Sequence, residues 1–225
     1  KAQQKNAKKI AKILNKNDLE AQHNRDHFRQ HQVTAFNLMS SPGSGKTTLL
    51  EHLCQHSNLK YAVIEGDLET SRDTDRLIAK GISAYQIQTG SACHLDAFMV
   101  HGALHHIKLD ECDICFVENV GNLVCPASYD VGTHKNIVLL SVPEGDDKIE
   151  KYPVMFRKAD VVVITKTDLL PYFDFNLEHA KAELYKLNPH VELIELSVKD
   201  AATFSPLANW LATAHDKNLT ANIQE

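Results

Sequence analysis

The segment Ser40-Ser41-Pro42-Gly43-Ser44-Gly45-Lys46-Thr47-Thr48 has the residue types and spacing of a loop that binds phosphate. It matches the pattern G-x-x-x-x-G-K-[ST] except at the first fixed position, where Ser40 replaces glycine. Glycines let backbone N–H groups turn inward around a phosphate, and the helix that follows adds the positive end of its dipole. We expect Lys46 to neutralise the β- and γ-phosphates and the Thr47 hydroxyl to hold Mg²⁺. The predicted phosphate-binding residues are Gly43, Ser44, Gly45, Lys46, Thr47 and Thr48.

A second segment, Thr165-Lys166-Thr167-Asp168, has the [NT]-K-x-D spacing of a loop that reads guanine. The Asp168 carboxylate can accept from both the N1–H and the exocyclic amine of guanine, whereas adenine offers no such pair of donors. Lys166 would lie along the plane of the base. Farther along the chain, Ser197 and Lys199 resemble a loop that backs the base. These residues predict binding of GTP and GDP, with a chance occurrence of the short K-x-D pattern as the alternative.

Two other predicted strands end in acidic segments that contain glycine, Glu65-Gly66-Asp67 and Glu118-Asn119-Val120-Gly121. We expect the Gly121 amide to meet the γ-phosphate, and Glu118 and Asp67 to hold waters of Mg²⁺ or to orient the attacking water. Carboxylates that cap exposed turns are the alternative. The predicted catalytic residues are Lys46, Thr47, Asp67 and Glu118. Because no glutamine stands where an attacking-water residue is expected, we predict slow intrinsic hydrolysis of GTP.

Cys93, His94 and Cys125 form a candidate metal site. Cys93-His94 and Cys125 both follow predicted strands at their carboxyl ends, so they can converge in space. Thiolates and imidazole suit Zn²⁺, Ni²⁺ or Cu⁺ rather than Mg²⁺. Three ligands are one short of a closed structural zinc site, which favours transfer of the metal over permanent storage. Small, inert residues in loops are an equally good interpretation of this spacing.

The other cysteine and histidine patterns favour structural roles. Cys112 and Cys115 form a C-x-x-C pattern, but Cys115 falls inside a predicted buried strand, where a thiol usually packs as a small apolar group. His94, His101 and His105 would share one face of a predicted helix. A solvated polar face explains these three positions at least as well as a histidine-only metal site.

Alternating strand and helix patterns predict the framework that positions these residues. The predicted strands are Ala35–Ser40, Tyr61–Glu65, Tyr85–Gln88, Ile114–Glu118, Asn136–Val142, Val161–Thr165 and Val191–Leu196. The predicted helices are Thr47–His56, Asp73–Lys80, Leu95–Lys108, Leu177–Leu187 and Thr203–His215. This alternation predicts an α/β fold, a mostly parallel sheet with helices on both faces, of the P-loop NTPase type. Ligands bind such sheets at the carboxyl ends of the strands.

The first thirty residues differ in composition from the rest of the chain. They are rich in Lys, Gln, Asn and His, with a thin apolar stripe that includes Ile10, Ile13 and Leu14. We predict an N-terminal helical extension over residues 1–31, formed by an amphipathic helix or helix pair. Residues 32–225 are predicted to form a GTPase domain that carries the metal site.

Composition argues against several classes of function. The 225 residues contain 24 Lys and Arg against 29 Asp and Glu, a net charge of −5, with no basic block, so nucleic-acid binding is not expected. No apolar run approaches the roughly 18–20 residues that a membrane span needs, and no apolar signal core is present at the start, so no membrane association is expected. Five cysteines without a secretion signal favour reduced thiols and a cytoplasmic location.

Together these motifs resemble the hydrogenase-maturation nickel-insertion GTPases, the family of hydrogenase nickel incorporation protein B, in the signal-recognition/MinD-type class of P-loop GTPases. The segments that carry the resemblance are Asn24–Phe28, Leu38–Leu50, Glu65–Asp67, Gly90 with Cys93–Asp96, Glu118–Pro126 and Glu144–Lys148. The resemblance extends over nearly the whole chain. In that family the loop opens with Ser-Ser-Pro-Gly, so Ser40 is expected there, whereas Thr165 departs from the usual Asn.

The resemblance implies a GTP-hydrolysing metallochaperone that supports nickel insertion into nickel–iron hydrogenase. It implies a homodimer that forms on GTP binding, with Cys93, His94 and Cys125 binding nickel or zinc near the interface. The implied partners are a zinc-bearing nickel-insertion accessory protein and the hydrogenase large-subunit precursor. Lys148 and Lys151 could reach phosphate or base across such a dimer, or be ordinary solvated lysines.

Two other functions remain open. A urease-type nickel accessory GTPase is similar, but that family pairs Cys-Pro with His, whereas here Cys125-Pro126 is followed by Ala127. A GTP-gated dimerising scaffold with a structural zinc would bind its metal tightly and without regard to nucleotide. A P-loop ATPase leaves Asp168 unexplained, and a redox protein built on the C-x-x-C pattern is the least favoured.

Overall fold

The computed structural model describes residues 2–66 and 71–223, and its centre is a seven-stranded sheet in which every neighbouring pair is parallel. The strands are β1 (Thr34–Met39), β2 (Tyr61–Glu65), β3 (Ser83–Gln86), β4 (Ile114–Glu118), β5 (Lys135–Ser141), β6 (Val161–Thr165) and β7 (Glu192–Glu195), in the spatial order β3-β2-β4-β1-β5-β6-β7. The predicted α/β fold with a parallel sheet is confirmed. Three strands have the predicted bounds, and the others differ by one or two residues.

Eight helices connect and cover the strands within the described residues. They are α1 (Ala2–Gln30), α2 (Lys46–Gln55), α3 (Arg72–Ala79), α4 (Ala97–Leu104), α5 (Lys148–Lys151), α6 (Pro153–Arg157), α7 (Leu177–Leu187) and α8 (Ser205–Ile223). The N-terminal region is one continuous helix rather than a pair. The prediction of a helix over Leu95–Lys108 was too long, because the Asp96 side chain accepts from the Met99 N–H and starts the helix at Ala97.

The two faces of the sheet are covered by different helices. On one face, Phe36, Val63 and Phe116 of the strands pack with Leu50 of α2 and Leu211 of α8. The opposite face has two apolar clusters. One joins Val138, Leu140 and Val162 to helices α6 and α7, and the other joins Ala35, Ile64 and Val117 to α1 and α4. Burial of both faces explains why the central strands are continuously apolar rather than alternating.

Helix α1 has an exposed first half and a packed second half. The side chains of residues 3–13 are exposed, whereas Ala21 and Phe28 are completely buried. The predicted boundary at residues 31 and 32 falls in the turn between α1 and β1, and the division into two domains stays a prediction. Within the described ranges, none of the helices combines the length and apolarity that crossing a bilayer requires.

Candidate nucleotide and metal sites

The loop after β1 has the backbone of a phosphate cradle. Gly43 and Gly45 have φ of 71° and 93°, a left-handed conformation that favours glycine. Lys46 Nζ donates to Ser40 Oγ at 3.1 Å, and Ser44 Oγ donates to the same oxygen at 2.6 Å. Ser40 is buried, and its hydroxyl oxygen accepts both hydrogen bonds. Serine at the first fixed position therefore holds the Lys46 side chain inside the loop.

A cavity of about 190 Å³ opens above this loop. It is lined by the predicted phosphate-binding residues from Gly43 to Thr48 and by Glu118 at the end of β4. Arg76 and Asp73 of α3 also line it, and neither was predicted because no sequence motif contains them. Arg76 pairs with both Glu51 oxygens at 3.0 and 2.7 Å, and these bonds raise the pKa of its guanidinium.

The predicted base-binding loop is joined to the phosphate loop. Thr165 Oγ1 donates to the Ser44 carbonyl at 3.2 Å, and Lys166 Nζ donates to the Gly43 carbonyl at 3.1 Å. Lys166 has a left-handed φ of 57°, and its Cε would lie 3.8 Å from a Cβ at Gly45, so its stem packs against the phosphate loop. Thr165, a departure from the usual Asn, therefore has a structural role in this chain because its hydroxyl fixes the two loops to each other.

Asp168 is oriented by the two predicted residues of the base-backing loop. Ser197 Oγ donates to Asp168 Oδ1 at 2.7 Å, and Lys199 Nζ lies 3.5 Å from Oδ2. The Ser197 hydrogen bond, with help from Lys199, holds the pKa of the Asp168 carboxyl below its usual value. The carboxylate therefore stays ionised and able to accept, which is the form that guanine requires.

The segment after β4 is pressed against the phosphate loop. A side chain at Gly121 would place its Cβ 2.9 Å from Pro42 Cα, so the close approach requires glycine. The Asn122 N–H donates to the Ser40 carbonyl at 2.9 Å. Glu118 is buried at the end of β4, beside the cavity. The fourth predicted catalytic residue, Asp67, lies outside the described residues.

Cys93, His94 and Cys125 come together, with one possible ligand atom from each within 4.8 Å of the others. Cys93 Sγ lies 3.4 Å from His94 Nδ1, and the His94 ring stacks on Tyr129 at a centroid distance of 3.9 Å. Burial lowers the pKa of His94, and the charge of Asp96 partly opposes this effect. The lowered pKa favours the neutral imidazole, which is the form that can bind a metal. Two sulfurs and one imidazole nitrogen fit Ni²⁺ or Zn²⁺.

Cys125 is positioned by a turn built on Asn122. Asn122 Oδ1 accepts from the backbone N–H groups of Val124 at 2.7 Å and Cys125 at 3.0 Å. The Cys125 thiol also shares a hydrogen bond with Cys93, which is the main reason that its pKa is raised. Asn122 was not predicted to have a role, although an Asn two or three residues before the turn it caps is a recognisable signal.

Helix α1 forms hydrogen bonds to both segments that carry the candidate metal ligands. Asn17 Oδ1 accepts from the Ala97 N–H at 2.9 Å, and Asn17 Nδ2 donates to the Asp130 carbonyl at 2.8 Å. Asn24 Nδ2 donates to the carbonyls of Ala97 at 2.9 Å and Val131 at 3.1 Å. Both asparagines are buried. Neither asparagine was predicted to have a role, because asparagine in a polar helix usually indicates a solvated face.

The other clusters of histidine, cysteine and carboxylate side chains are weaker candidates for a metal or redox site. The prediction that His94 shares a helical face with His101 and His105 was wrong, because α4 begins only at Ala97. Cys115 is buried in β4, and burial raises the pKa of Cys112 to about 12, so both thiols stay protonated.

Among the described residues, the other three-donor cluster is Glu150, His179 and Glu183. Its groups are paired already, Glu150 with His179 at 3.5 Å and Glu183 with Lys186.

The fold and the loop after β1 define a P-loop nucleotide-binding protein with a thiol and imidazole cluster beside its phosphate site. A family model described as CobW/HypB/UreG, nucleotide-binding domain, matches residues 34–195. The chain belongs to this family and, within it, to the HypB maturation factors.

Three relatives support that placement. The chain is 49% identical over 219 residues to the hydrogenase/urease maturation factor HypB of Helicobacter hepaticus, covering 96% of this chain and 90% of that protein. The crystal structure of HypB from Helicobacter pylori in complex with nickel matches with a TM-score of 0.88 and 47% identity, over 91% of this chain and 97% of that one. HypB from Archaeoglobus fulgidus matches with a TM-score of 0.84 and 37% identity, over 90% and 100%.

Proposed function

We propose that this protein is a GTP-hydrolysing metallochaperone that binds nickel, or zinc, and supports nickel insertion into nickel–iron hydrogenase. One observation carries the proposal. Asn122 bonds the phosphate loop through its backbone N–H, to Ser40, and positions the metal ligand Cys125 through its side chain. A single residue therefore connects the two candidate sites. The nickel complex of the Helicobacter pylori relative supports nickel as the metal.

The nucleotide in this proposal is GTP. Lys166, Asp168, Ser197 and Lys199 bind the base, and the loop from Gly43 to Thr48 binds the phosphates. Thr47, Glu118 and Asp67 hold Mg²⁺ directly or through water. Bound Mg²⁺ would neutralise charge on the β- and γ-phosphates.

Hydrolysis converts GTP and water to GDP and phosphate. Lys46 stabilises charge on the phosphates, the Gly121 amide faces the γ-phosphate, and Asp67 or Glu118 orients the attacking water. Because no glutamine stands where an attacking-water residue is expected, we propose a slow intrinsic rate. Rapid single-turnover hydrolysis by the isolated monomer would contradict it.

Nickel is the cargo rather than a resident cofactor in this proposal. Loading of GTP orders the Glu118–Gly121 segment against the γ-phosphate, and hydrolysis releases it. Because Asn122 follows Gly121 directly, this movement changes the position of the Cys125 ligand. Metal affinity then depends on the nucleotide, and by linkage nucleotide affinity depends on the metal to the same degree.

We also propose a homodimer that forms on GTP binding, together with two partners, a zinc-bearing accessory protein and the hydrogenase large-subunit precursor. Lys148 and Lys151 are candidates to cross such a dimer. In the single chain both lie near Asp147, with Nζ to carboxylate distances of 3.8 and 2.5 Å. Dimer formation would have to exchange these exposed pairs for contacts to phosphate or base, at little cost because exposed pairs contribute little.

A nickel titration read by the thiolate-to-metal absorbance band tests the proposal. It is run with GDP and with a non-hydrolysable GTP analogue, on the wild-type protein and on Cys93→Ala. We expect a band that the substitution abolishes and whose affinity shifts with nucleotide. If no nickel band appears, or if neither the substitution nor the nucleotide changes it, the delivery role is rejected. The GTP-gated scaffold with structural zinc is then favoured.

A second candidate function is support of urease as well as hydrogenase. Both Helicobacter relatives are named hydrogenase/urease maturation factors. Assay of both nickel enzymes in cells that lack this chain separates the two functions. Loss of urease activity that nickel supplementation restores would extend the delivery role to urease, and intact urease would restrict it to hydrogenase.

A further inference from the structure

The C-terminal ends of helices α1 and α4 carry four histidines. We call His27 in α1, His31 in the turn just after it, His101 in α4 and His105 just after α4 the imidazole cluster. The His27 and His31 rings lie 5.0 Å apart between centroids, and the His101 and His105 rings 5.2 Å apart. Each pair has i, i+4 spacing and runs from the last turn of a helix to the residue just beyond it, so its two imidazoles lie close together at the helix end. Helix-borne zinc sites of the H-x-x-x-H type use the same spacing.

The two pairs lie near each other because α1 packs against α4. His101 Nδ1 lies 3.3 Å from Asn24 Oδ1, one turn before His27 on α1. Burial lowers the pKa of His27, and the proximity of the other three imidazoles adds to that effect. The ring therefore favours its neutral form, which is the form that coordinates metals.

Two members of the imidazole cluster already have the outer contacts of metal-bound histidines. His31 Nδ1 lies 2.5 Å from Asp110 Oδ1, and His101 Nδ1 lies 3.1 Å from Glu20 Oε1. A carboxylate at Nδ1 fixes the ring and leaves Nε2 as the atom that can bind a metal, which is the usual carboxylate–histidine–metal arrangement. This feature is independent of the spacing along the helices.

We propose that the imidazole cluster binds a divalent transition metal, Ni²⁺ or Zn²⁺, at a site separate from Cys93, His94 and Cys125. Neutral imidazole suits both ions, and no thiolate is needed. Within residues 2–66 and 71–223, the groups whose three donors already lie within 4.8 Å of one another do not include these histidines. Binding therefore requires rotation of side chains, and all four are at least partly exposed.

The test uses NiCl₂ and the double variant Cys93→Ser/Cys125→Ser, which lacks the thiolate ligands. Equilibrium dialysis should show one equivalent of bound nickel without a thiolate-to-metal band. Adding His101→Gln and His105→Gln should weaken this binding at least about tenfold, because two of the four imidazoles are lost. The His27→Gln/His31→Gln pair, on the other helix, provides a second measurement.

Helix α2 offers a matched control. His52 and His56 have the same i, i+4 spacing, but both rings stack on Phe204, at 5.5 and 5.3 Å. Their replacement by Gln should leave the residual nickel binding unchanged. The proposal is overturned if the thiol-free variant binds no nickel, or if the α2 pair matters as much as the α1 and α4 pairs. Because the thiolate band reports the proposed cargo site separately, failure of one site is distinguishable from failure of the other.

Discussion

The backbone N–H of Leu95 donates to the side-chain Oδ1 of Asn119 at 3.0 Å. Leu95 immediately follows His94, and Asn119 immediately follows Glu118, so this bond joins the loop that carries two candidate metal ligands to the strand end beside the phosphate loop. The Asn119 side chain also accepts from the Val120 N–H at 2.9 Å and donates to Asn37 Oδ1 at 3.1 Å. Asn119 is fully buried, so its bonds have no water to replace them.

Replacing Asn119 tests the contribution of this bond. Asn119→Ala leaves two buried N–H groups, those of Leu95 and Val120, without their acceptor, which costs about 1–3 kcal/mol for each. We expect a lower free energy of unfolding in urea and weaker nickel binding, since the Cys93-His94 loop loses its anchor. Asn119→Asp keeps the acceptor oxygen for both N–H groups but loses the donor to Asn37 and buries a carboxyl group, so it is compared with Asn119→Ala for nickel affinity only. Equal nickel affinity in both variants would show that the anchor does not position the ligands.

Asn122→Ala separates the two roles of Asn122. The substitution keeps the backbone N–H that bonds Ser40 and removes the side chain that caps Cys125. GDP affinity should therefore stay near the wild-type value, while the difference in nickel affinity between GDP and a GTP analogue should shrink. The thiolate-to-metal band measures the nickel affinity, and Asn122→Asp, which retains the capping oxygen, is the control. If the nickel affinity of Asn122→Ala depends on the nucleotide as much as that of the wild type, the Asn122 side chain does not couple the nucleotide site to the metal site.

Asp168→Asn should change the base that the protein prefers. The amide cannot accept from both N1–H and the exocyclic amine of guanine, so GDP affinity should fall by about 100-fold. Xanthine has a carbonyl in place of that amine and can accept from the new NH₂ group, so xanthosine diphosphate should bind the variant better than GDP does. The exposed Asp174→Asn is the control. Unchanged GDP binding by Asp168→Asn would remove Asp168 from the base site.

Much of the fold could be predicted from the sequence, because buried parallel strands leave continuous apolar runs such as Val161-Val162-Val163-Ile164. The convergence of Cys93-His94 with Cys125 followed from their places after strands. The contacts between loops could not be predicted. The Asn24 side chain bonds residues 73 and 107 positions away, and nothing local in a polar helix distinguishes a buried asparagine from a solvated one.

Stability should fall as the pH is lowered because of His134. Its Nδ1 accepts from the Ala35 N–H at 2.9 Å, and burial, aided by the charge of Arg25, lowers its pKa to about 4. An unfolded histidine titrates near 6.5, so between about pH 6.5 and 4 the unfolded state binds a proton that the folded state does not. The free energy of unfolding should therefore decrease through this window, by up to about 3 kcal/mol.

Urea unfolding at pH 7 and pH 5 measures this loss for the wild-type protein and for His134→Gln. The variant cannot titrate in this range, so its stability should depend less on pH. The exposed His106→Gln removes a histidine and should keep the wild-type dependence. If both variants lose stability on acidification as the wild type does, the pH dependence comes from other groups.

Asn24→Ala tests whether α1 sets the geometry of the metal site. The substitution removes the donor to the buried carbonyls of Ala97, three residues after His94, and Val131, two residues after Tyr129. We expect unfolding in urea at lower concentration and nickel binding weakened by more than the loss of stability alone explains, because both ligand-bearing segments lose a shared anchor. Asn15→Ala, on the exposed side of α1, is the control. GDP affinity should not change, since the Asn24 side chain bonds neither the phosphate loop nor the predicted base-binding loop. A stability loss with normal nickel affinity would leave α1 as a packing element only.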